Sequence, residues 1–138
     1  MQISKPISVL RNYVKYILNK KYRSVLAQFR CEVLPLKVET GRFNNIPLEY
    51  RLCEFCDKNN IEDESHFLLY CSRYENLRIQ LFQKAIMIHP HFNELNTHEK
   101  LKLLMNSTEI IKYTAQFIAE AREMRNGLLY HNLSCRYM

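Results

Sequence analysis

The chain has 138 residues and a mass of 16.7 kDa, which fits one domain and excludes a polymerase or a large multidomain enzyme. Hydrophobic residues make up 47% of the sequence and aromatic residues 12%, with only 2 Gly and 4 Pro, so the composition excludes a disordered or fibrous chain. The net charge of +6 arises in residues 1–50, which hold 9 basic and 3 acidic residues, whereas residues 51–138 hold 11 of each. This distribution suits a polyanion or an acidic membrane surface, although a solvated helix face has the same composition.

Cysteine usage and hydropathy indicate the compartment. Five cysteines are an odd number, and no apolar segment with a small-residue cleavage site follows Met1, so we predict reduced thiols rather than a secreted disulfide framework. No stretch reaches the roughly 18 to 20 apolar residues of a membrane span, so we expect no membrane partner. The expected location is intracellular, in the nucleus or the cytoplasm.

Two apolar stripes at helical spacing lie near the start of the chain. The first predicts a helix over residues 6–19. The second points more than a quarter turn away, so we predict a break near residues 19–21 and a second helix that ends before Pro35. Basic side chains lie away from both stripes and can form an exposed face: Arg11, Lys15, Lys20, Arg23 and Arg30.

Capping residues delimit the remaining elements. Residues 34–43 predict a short helix that Gly41 closes in the left-handed conformation. Three further helix starts are predicted by Ser72 with Glu75, by Asn96 with Glu99, and by Ser107. No alternating run of useful length predicts a strand.

The expected fold is therefore mainly α. We predict a single small helical domain with a CCHC zinc-knuckle-like insertion and little or no sheet. It comprises a basic helical region (residues 1–45), a zinc-binding segment (46–75) and a helical bundle (76–138).

The pattern that carries chemistry is C-x2-C-x9-H-x4-C, formed by Cys53, Cys56, His66 and Cys71. Three thiolates and an imidazole make a complete tetrahedral set for one Zn²⁺, and four protein ligands leave no open position, so we predict a structural ion. On one ideal helix His66 and Cys71 would diverge by roughly 140°. We therefore expect a short helix that begins near residues 62–64, carries His66 and unwinds by Tyr70.

Other interpretations of these residues stay open. Cys53 and Cys56 can form a thioredoxin-like redox pair, but no βαβ pattern surrounds them, and buried cysteines can also produce the spacing by accident. Cys31 and Cys135 are interpreted as core or surface thiols. The three histidines at 89, 91 and 98 supply too few ligands for a second site.

Several short runs carry a resemblance to a family: Leu26-Ala-Gln-Phe-Arg30, Leu34-Pro-Leu, Glu39-Thr-Gly-Arg-Phe43, Cys53-Glu-Phe-Cys56, Ile61-Glu-Asp-Glu64 and His66-Phe-Leu-Leu-Tyr-Cys71. Over about residues 23–82 they resemble the zinc-binding segment that follows the reverse transcriptase core of non-LTR (LINE-type) retrotransposons. The resemblance implies a module that helps the polymerase hold RNA or target DNA, with the same four zinc ligands. The paired-aspartate motif of the polymerase is absent, so the chain resembles a fragment, a decayed copy or a domesticated remnant.

The expected function is a non-catalytic, zinc-stabilised nucleic-acid-binding module that binds RNA or DNA with low sequence specificity. The reverse transcriptase core is a candidate protein partner. Phe55, between two ligands, is the candidate for stacking on an unpaired base, or it packs on its own knuckle. The candidate phosphate contacts are Arg11, Lys15, Lys20, Lys21, Arg23, Arg30, Arg42 and Arg51. The alternatives are a zinc-stapled helical protein-interaction module and a non-functional remnant.

Overall fold

A computed structural model describes residues 19–136, with the side chains of residues 19–128. The predicted helix over residues 6–19, with Arg11 and Lys15, lies outside this part of the chain, apart from its last residue. Five α-helices are described: Lys20–Arg30 (α1), Lys37–Phe43 (α2), Glu75–Ile88 (α3), Thr97–Asn106 (α4) and Ile111–Arg136 (α5). Between residues 19 and 136 the only β pairing is an isolated bridge from Leu52 to Ile61, so the predicted mainly α fold is confirmed.

The helix starts follow from local capping. Asn19 caps α1, where its side-chain oxygen accepts from the backbone N–H groups of Lys21 at 2.9 Å and Tyr22 at 3.3 Å. Asn96 caps α4 in the predicted way, accepting from the Glu99 backbone N–H at 2.9 Å. The predicted capping box at Ser72 is not formed: a 3₁₀ turn, Ser72–Tyr74, leads into α3, and no side-chain cap bond is made at its start.

The role predicted for Gly41 is wrong. Gly41 lies inside α2, and it does not have a positive φ; the left-handed residue after the helix is Asn45, with φ 54°. Glycine is needed here because a Cβ at this position would lie 2.6 Å from Cγ of Arg51, whose side chain crosses the helix. A close approach, rather than helix termination, explains this residue.

The longest helix, α5, packs against α1, α3 and α4, and the core between them is apolar. Phe67, next to the predicted ligand His66, lies in this core. Its ring centroid lies 5.2 Å from that of Tyr74, 6.1 Å from that of Phe117 and 6.4 Å from that of Phe29. The segment that carries the metal ligands is thus packed into the helical core by its own side chain.

Candidate metal centre

The first two ligands lie on a short hairpin. The backbone N–H of Cys53 donates to the carbonyl of Asn60 and that of Glu62 to the carbonyl of Arg51, both at 2.9 Å. Asn59 turns the chain with φ 54°, a conformation that asparagine tolerates better than most residues. The backbone N–H of Phe55 donates to Sγ of Cys53 at 3.4 Å. This amide partly offsets the negative charge that a thiolate carries here.

The last two ligands come from opposite ends of one wide helical turn. Helical backbone begins at Glu64, carries His66 and widens into a π-helical turn, His66–Tyr70, before Cys71 takes an extended conformation. The Cys71 N–H donates to the His66 carbonyl at 2.7 Å, five residues back. The backbone N–H of His66 donates to Oδ1 of Asp63 at 2.8 Å. The expected short helix is therefore present and ends before Cys71, which takes an extended conformation at its C-cap. The prediction missed that the last turn, through Tyr70, is a π-helical turn, and this turn brings Cys71 back toward His66.

The four ligand atoms converge. Sγ of Cys53 lies 3.8 Å from Sγ of Cys71, and Sγ of Cys56 lies 3.4 Å from Nε2 of His66. All four atoms lie within 4.8 Å of one another, and all four residues are buried. A tetrahedral ion with metal–sulfur bonds of roughly 2.3 Å needs sulfurs roughly 3.8 Å apart. Cys53, Cys56, His66 and Cys71 can therefore hold one metal ion.

A hydrogen bond joins the Cys53 and Cys71 thiols and shifts the pKa of each. The hydrogen bond between Cys53 and Cys71, together with burial, raises the pKa of Cys53 to about 12. The same hydrogen bond lowers the pKa of Cys71, against the opposing effect of burial. In the metal-free protein the thiolate therefore forms first on Cys71. Binding of a cation must displace the proton from Cys53, so metal binding releases protons.

Arg78 of α3 donates hydrogen bonds to the end of the π-helical turn and to Cys71. Its guanidinium donates to the carbonyls of Leu68 at 3.0 Å, Cys71 at 2.6 Å and Phe67 at 3.1 Å. The carbonyls of Phe67 and Leu68 belong to the end of the turn, where a helix leaves its last carbonyls without intrahelical partners, whereas the Cys71 carbonyl also accepts from the backbone N–H of Tyr74 at 3.3 Å. Burial lowers the pKa of Arg78, and the nearby Cys71 opposes that effect. Arg78 was not predicted as a site residue, although an arginine within an apolar helical stripe was the signal for it.

A buried ion pair joins the hairpin to α5. Arg125 donates to the Glu62 carboxylate through Nε at 3.0 Å and Nη2 at 2.8 Å, and both side chains are buried. Oε1 of Glu62 also accepts from the backbone N–H of Lys37 at 2.7 Å, which ties the start of α2 to the same carboxylate. Sequence analysis did not identify this pair, because its partners lie 63 residues apart.

Arg125 also determines the surroundings of Phe55. The guanidinium carbon lies 5.2 Å from the Phe55 ring centroid, and the ring is half-buried against the core. One face of the ring predicted to stack on a base is therefore covered by a cation of the same chain.

The candidate phosphate contacts lie in different environments. Lys20 is exposed; Lys21 is exposed and pairs with Glu123, and Arg42 is exposed and pairs with Glu39. Arg23 is half-buried.

Two arginines of the predicted set have structural roles. Arg51 donates to the carbonyls of Ile46 at 2.8 Å and Val38 at 3.2 Å. Arg30 is buried and donates to the carbonyl of Met105 in α4. The prediction that Arg30 lies on an exposed face is therefore wrong: the last turn of α1 is covered by α4, which the apolar stripe of α1 alone did not indicate.

No family model, curated protein or solved structure matches the chain. The resemblance noted in the sequence therefore stays a prediction, as does the division into three regions. Within residues 19–136, no helix combines the length and the apolar character that a membrane crossing requires.

Proposed function

We propose that the chain is a non-catalytic nucleic-acid-binding module stabilised by one structural Zn²⁺ and derived from a non-LTR retrotransposon reverse transcriptase. The buried Cys3His quartet carries the zinc part of the proposal. Three sulfurs and one nitrogen are the donor set of structural zinc sites, and softer thiolate ligands disfavour Mg²⁺ and Ca²⁺. Four protein ligands leave the ion no position for a substrate, so its role is to fix the hairpin and the π-helical turn.

Charge supports the nucleic-acid part of the proposal. The excess of cations lies in residues 1–50, and Lys20, Lys21 and Arg42 are exposed there. Cations that neutralise phosphates release counterions from RNA or DNA, an interaction that depends little on sequence. The resemblance to the segment after a reverse transcriptase core points to the same ligand, with that core as a possible protein partner.

Salt dependence tests this function. The full chain is titrated with single-stranded RNA and with duplex DNA between 50 and 200 mM salt. Lys20 and Lys21 are changed together to Gln; loss of two phosphate contacts reduces the slope of log affinity against log salt by roughly 1.8 for duplex DNA. The matched control changes Lys84 and Lys102 together to Gln, and this removes the same charge from exposed positions on α3 and α4. Absence of binding by the unaltered chain at low salt would disprove the function.

A second function, protein interaction, is favoured by one surface. A cavity of about 390 Å³ opens along α3 and is lined by apolar side chains that include Ile79, Phe82 and Ile86. Ile79 and the adjacent Met87 are largely exposed. If neither nucleic acid binds, this face becomes the leading candidate for contact with the rest of a polymerase.

A further inference from the structure

The 42–51 loop, a segment that begins with the last two residues of α2 and ends at the metal hairpin, presents apolar side chains to solvent. Phe43 is 85% exposed and Tyr50 70% exposed, and Leu48 and Ile46 are 50% and 39% exposed. Single exposed apolar residues are ordinary, but four within eight positions are not. Large aromatic rings in water lose the free energy that burial would provide, so this loop is a candidate for contact with another molecule.

This exposure does not come from a poorly held loop. The Ile46 N–H donates to the Gly41 carbonyl at 2.9 Å, and the Arg51 side chain donates to the Ile46 and Val38 carbonyls across the absent Cβ of Gly41. Arg51 in turn accepts from the Glu62 N–H on the metal hairpin. The backbone is thus fixed from both sides, so binding of a ligand has to order the exposed side chains but not the backbone that carries them.

We propose that the 42–51 loop binds single-stranded RNA or DNA, with unpaired bases stacking on Phe43 and Tyr50 and a phosphate contacting Arg42. This inference rests on the proposed function and specifies its ligand as single-stranded nucleic acid. Aromatic side chains stack on any base, because every base has a π-face. In a duplex the bases stay stacked on one another, so no base face is available to stack on the rings of Phe43 and Tyr50.

Three observations favour a nucleic acid over a protein at this loop. Polar residues interrupt the apolar ones: the amide-bearing Asn44 and Asn45 lie exposed between Phe43 and Ile46, and Glu49 lies exposed between Leu48 and Tyr50. Two arginines, Arg42 and Arg51, outnumber the acidic Glu49. Phe55, the stacking residue expected from sequence, already has one ring face covered by Arg125, whereas no ring or cation contact within the described side chains covers Phe43 or Tyr50.

Leucine and aromatic exchanges separate stacking from general apolar contact. Phe43→Leu with Tyr50→Leu keeps apolar side chains of comparable reach but removes the flat rings, whereas Phe43→Tyr with Tyr50→Phe keeps the rings. Both pairs are measured in the zinc-loaded full chain with a single-stranded oligonucleotide and with the matching duplex. We expect the leucine pair to weaken single-strand binding by roughly 30-fold or more. Its salt slope and its affinity for the duplex should be unchanged. The ring-exchange pair should bind the single strand with nearly the affinity of the unaltered chain.

The absence of tryptophan from the chain provides a direct readout. Tyr50→Trp introduces a single indole at the loop, and we expect an oligonucleotide to quench its fluorescence with the same midpoint as binding. Equal single-strand affinity in the leucine pair and the unaltered chain would overturn the inference and leave the proposed function intact.

No binding of either nucleic acid by the unaltered chain would overturn both proposals. A protein contact at this loop would appear as self-association or as binding of the reverse transcriptase core. If the leucine pair keeps that binding and Phe43→Ala with Tyr50→Ala loses it, the loop contacts a protein and the inference is overturned. Unchanged zinc content and far-ultraviolet circular dichroism in each variant verify that the fold is kept, since both side chains are exposed.

Discussion

The metal centre and the helical bundle are stabilised in different ways. The segment from Leu52 to Cys71 has one β bridge and one π-helical turn, so few regular backbone hydrogen bonds hold it, and four side chains converge on one point. The bundle of α1, α3, α4 and α5 is held by a continuous apolar core. The two regions meet at Phe67, Arg78 and the Glu62–Arg125 pair. A metal ion can thus replace regular secondary structure locally, while packing at this junction joins the segment to the core.

Chelation should have the largest effect and should separate the two regions. Apparent zinc-binding free energies of roughly 10 to 16 kcal/mol in finger peptides are as large as the roughly 5 to 15 kcal/mol that stabilises a whole domain. We expect metal removal to unfold at least residues 45–75, seen as loss of amide protection at Cys53, Glu62 and Cys71 by hydrogen exchange. Amide protection in α5 then shows whether the helical bundle stays folded. Circular dichroism that does not change after metal removal would contradict this prediction.

Breaking the junction at Glu62 should have the next largest effect. Glu62→Leu leaves the Arg125 charge buried without its partner, at a cost of about 3 to 5 kcal/mol in the free energy of unfolding. The double variant Glu62→Leu with Arg125→Leu removes both charges and should recover much of that loss. Urea denaturation with zinc present measures both. A double variant as unstable as the single one would mean that the carboxylate acts mainly through the Lys37 N–H.

Removal of Arg78 should destabilise the metal side of the junction in particular. Arg78→Met removes the donor of the Phe67 and Leu68 carbonyls and one of the two donors of the Cys71 carbonyl, which should cost about 3 kcal/mol and loosen the turn that positions His66 and Cys71. Arg73→Met at an exposed neighbouring position is the matched control. The measurements are the urea midpoint and zinc retention against a competing chelator. Faster zinc loss in the control than in Arg78→Met would contradict the assigned role.

The smallest expected effect concerns Glu64, whose pKa is raised to about 8 by burial and by its hydrogen bond with Glu39. A carboxyl group with a folded pKa above the unfolded one contributes stability that is fully present below about pH 4.3 and is lost as the pH rises to about 8. Glu64→Gln keeps a neutral donor, so it should be more stable than the unaltered chain at pH 9, by on the order of 1 kcal/mol. The difference should shrink toward pH 5, as thermal melts with zinc present would measure. A difference independent of pH would contradict the raised pKa of Glu64.

Local features were predictable. Asn96 caps its helix with its own side chain as predicted, whereas Asn19 was predicted only as a break and Ser72 makes no cap bond. The four ligands lie within 19 residues, so spacing alone predicted which residues can meet. The orientation of His66 and Cys71 was only half predictable. An ideal helix excludes their convergence, but nothing in the local sequence distinguishes an unwound turn from a π-helical one.

Features that depend on distant partners were not predictable. Arg30 has the same sequence signature as an exposed lysine, and its burial follows from the position of Met105 in α4. Gly41 suggested a helix end until the Arg51 side chain was placed across it. The place of Arg78 within an apolar stripe indicated burial but not its partners, and Arg125 gave no local sign that it pairs with Glu62 of the metal segment.

The order of cysteines and histidine along the chain determined which four side chains can gather around one ion, because short spacing limits how far apart the ligands can lie. Tertiary structure decided which cations stay in water and which become internal donors, because burial of a guanidinium is tolerated only where carbonyls or a carboxylate from another element meet it. It also decided that Phe43 and Tyr50, rather than Phe55, present open rings to solvent.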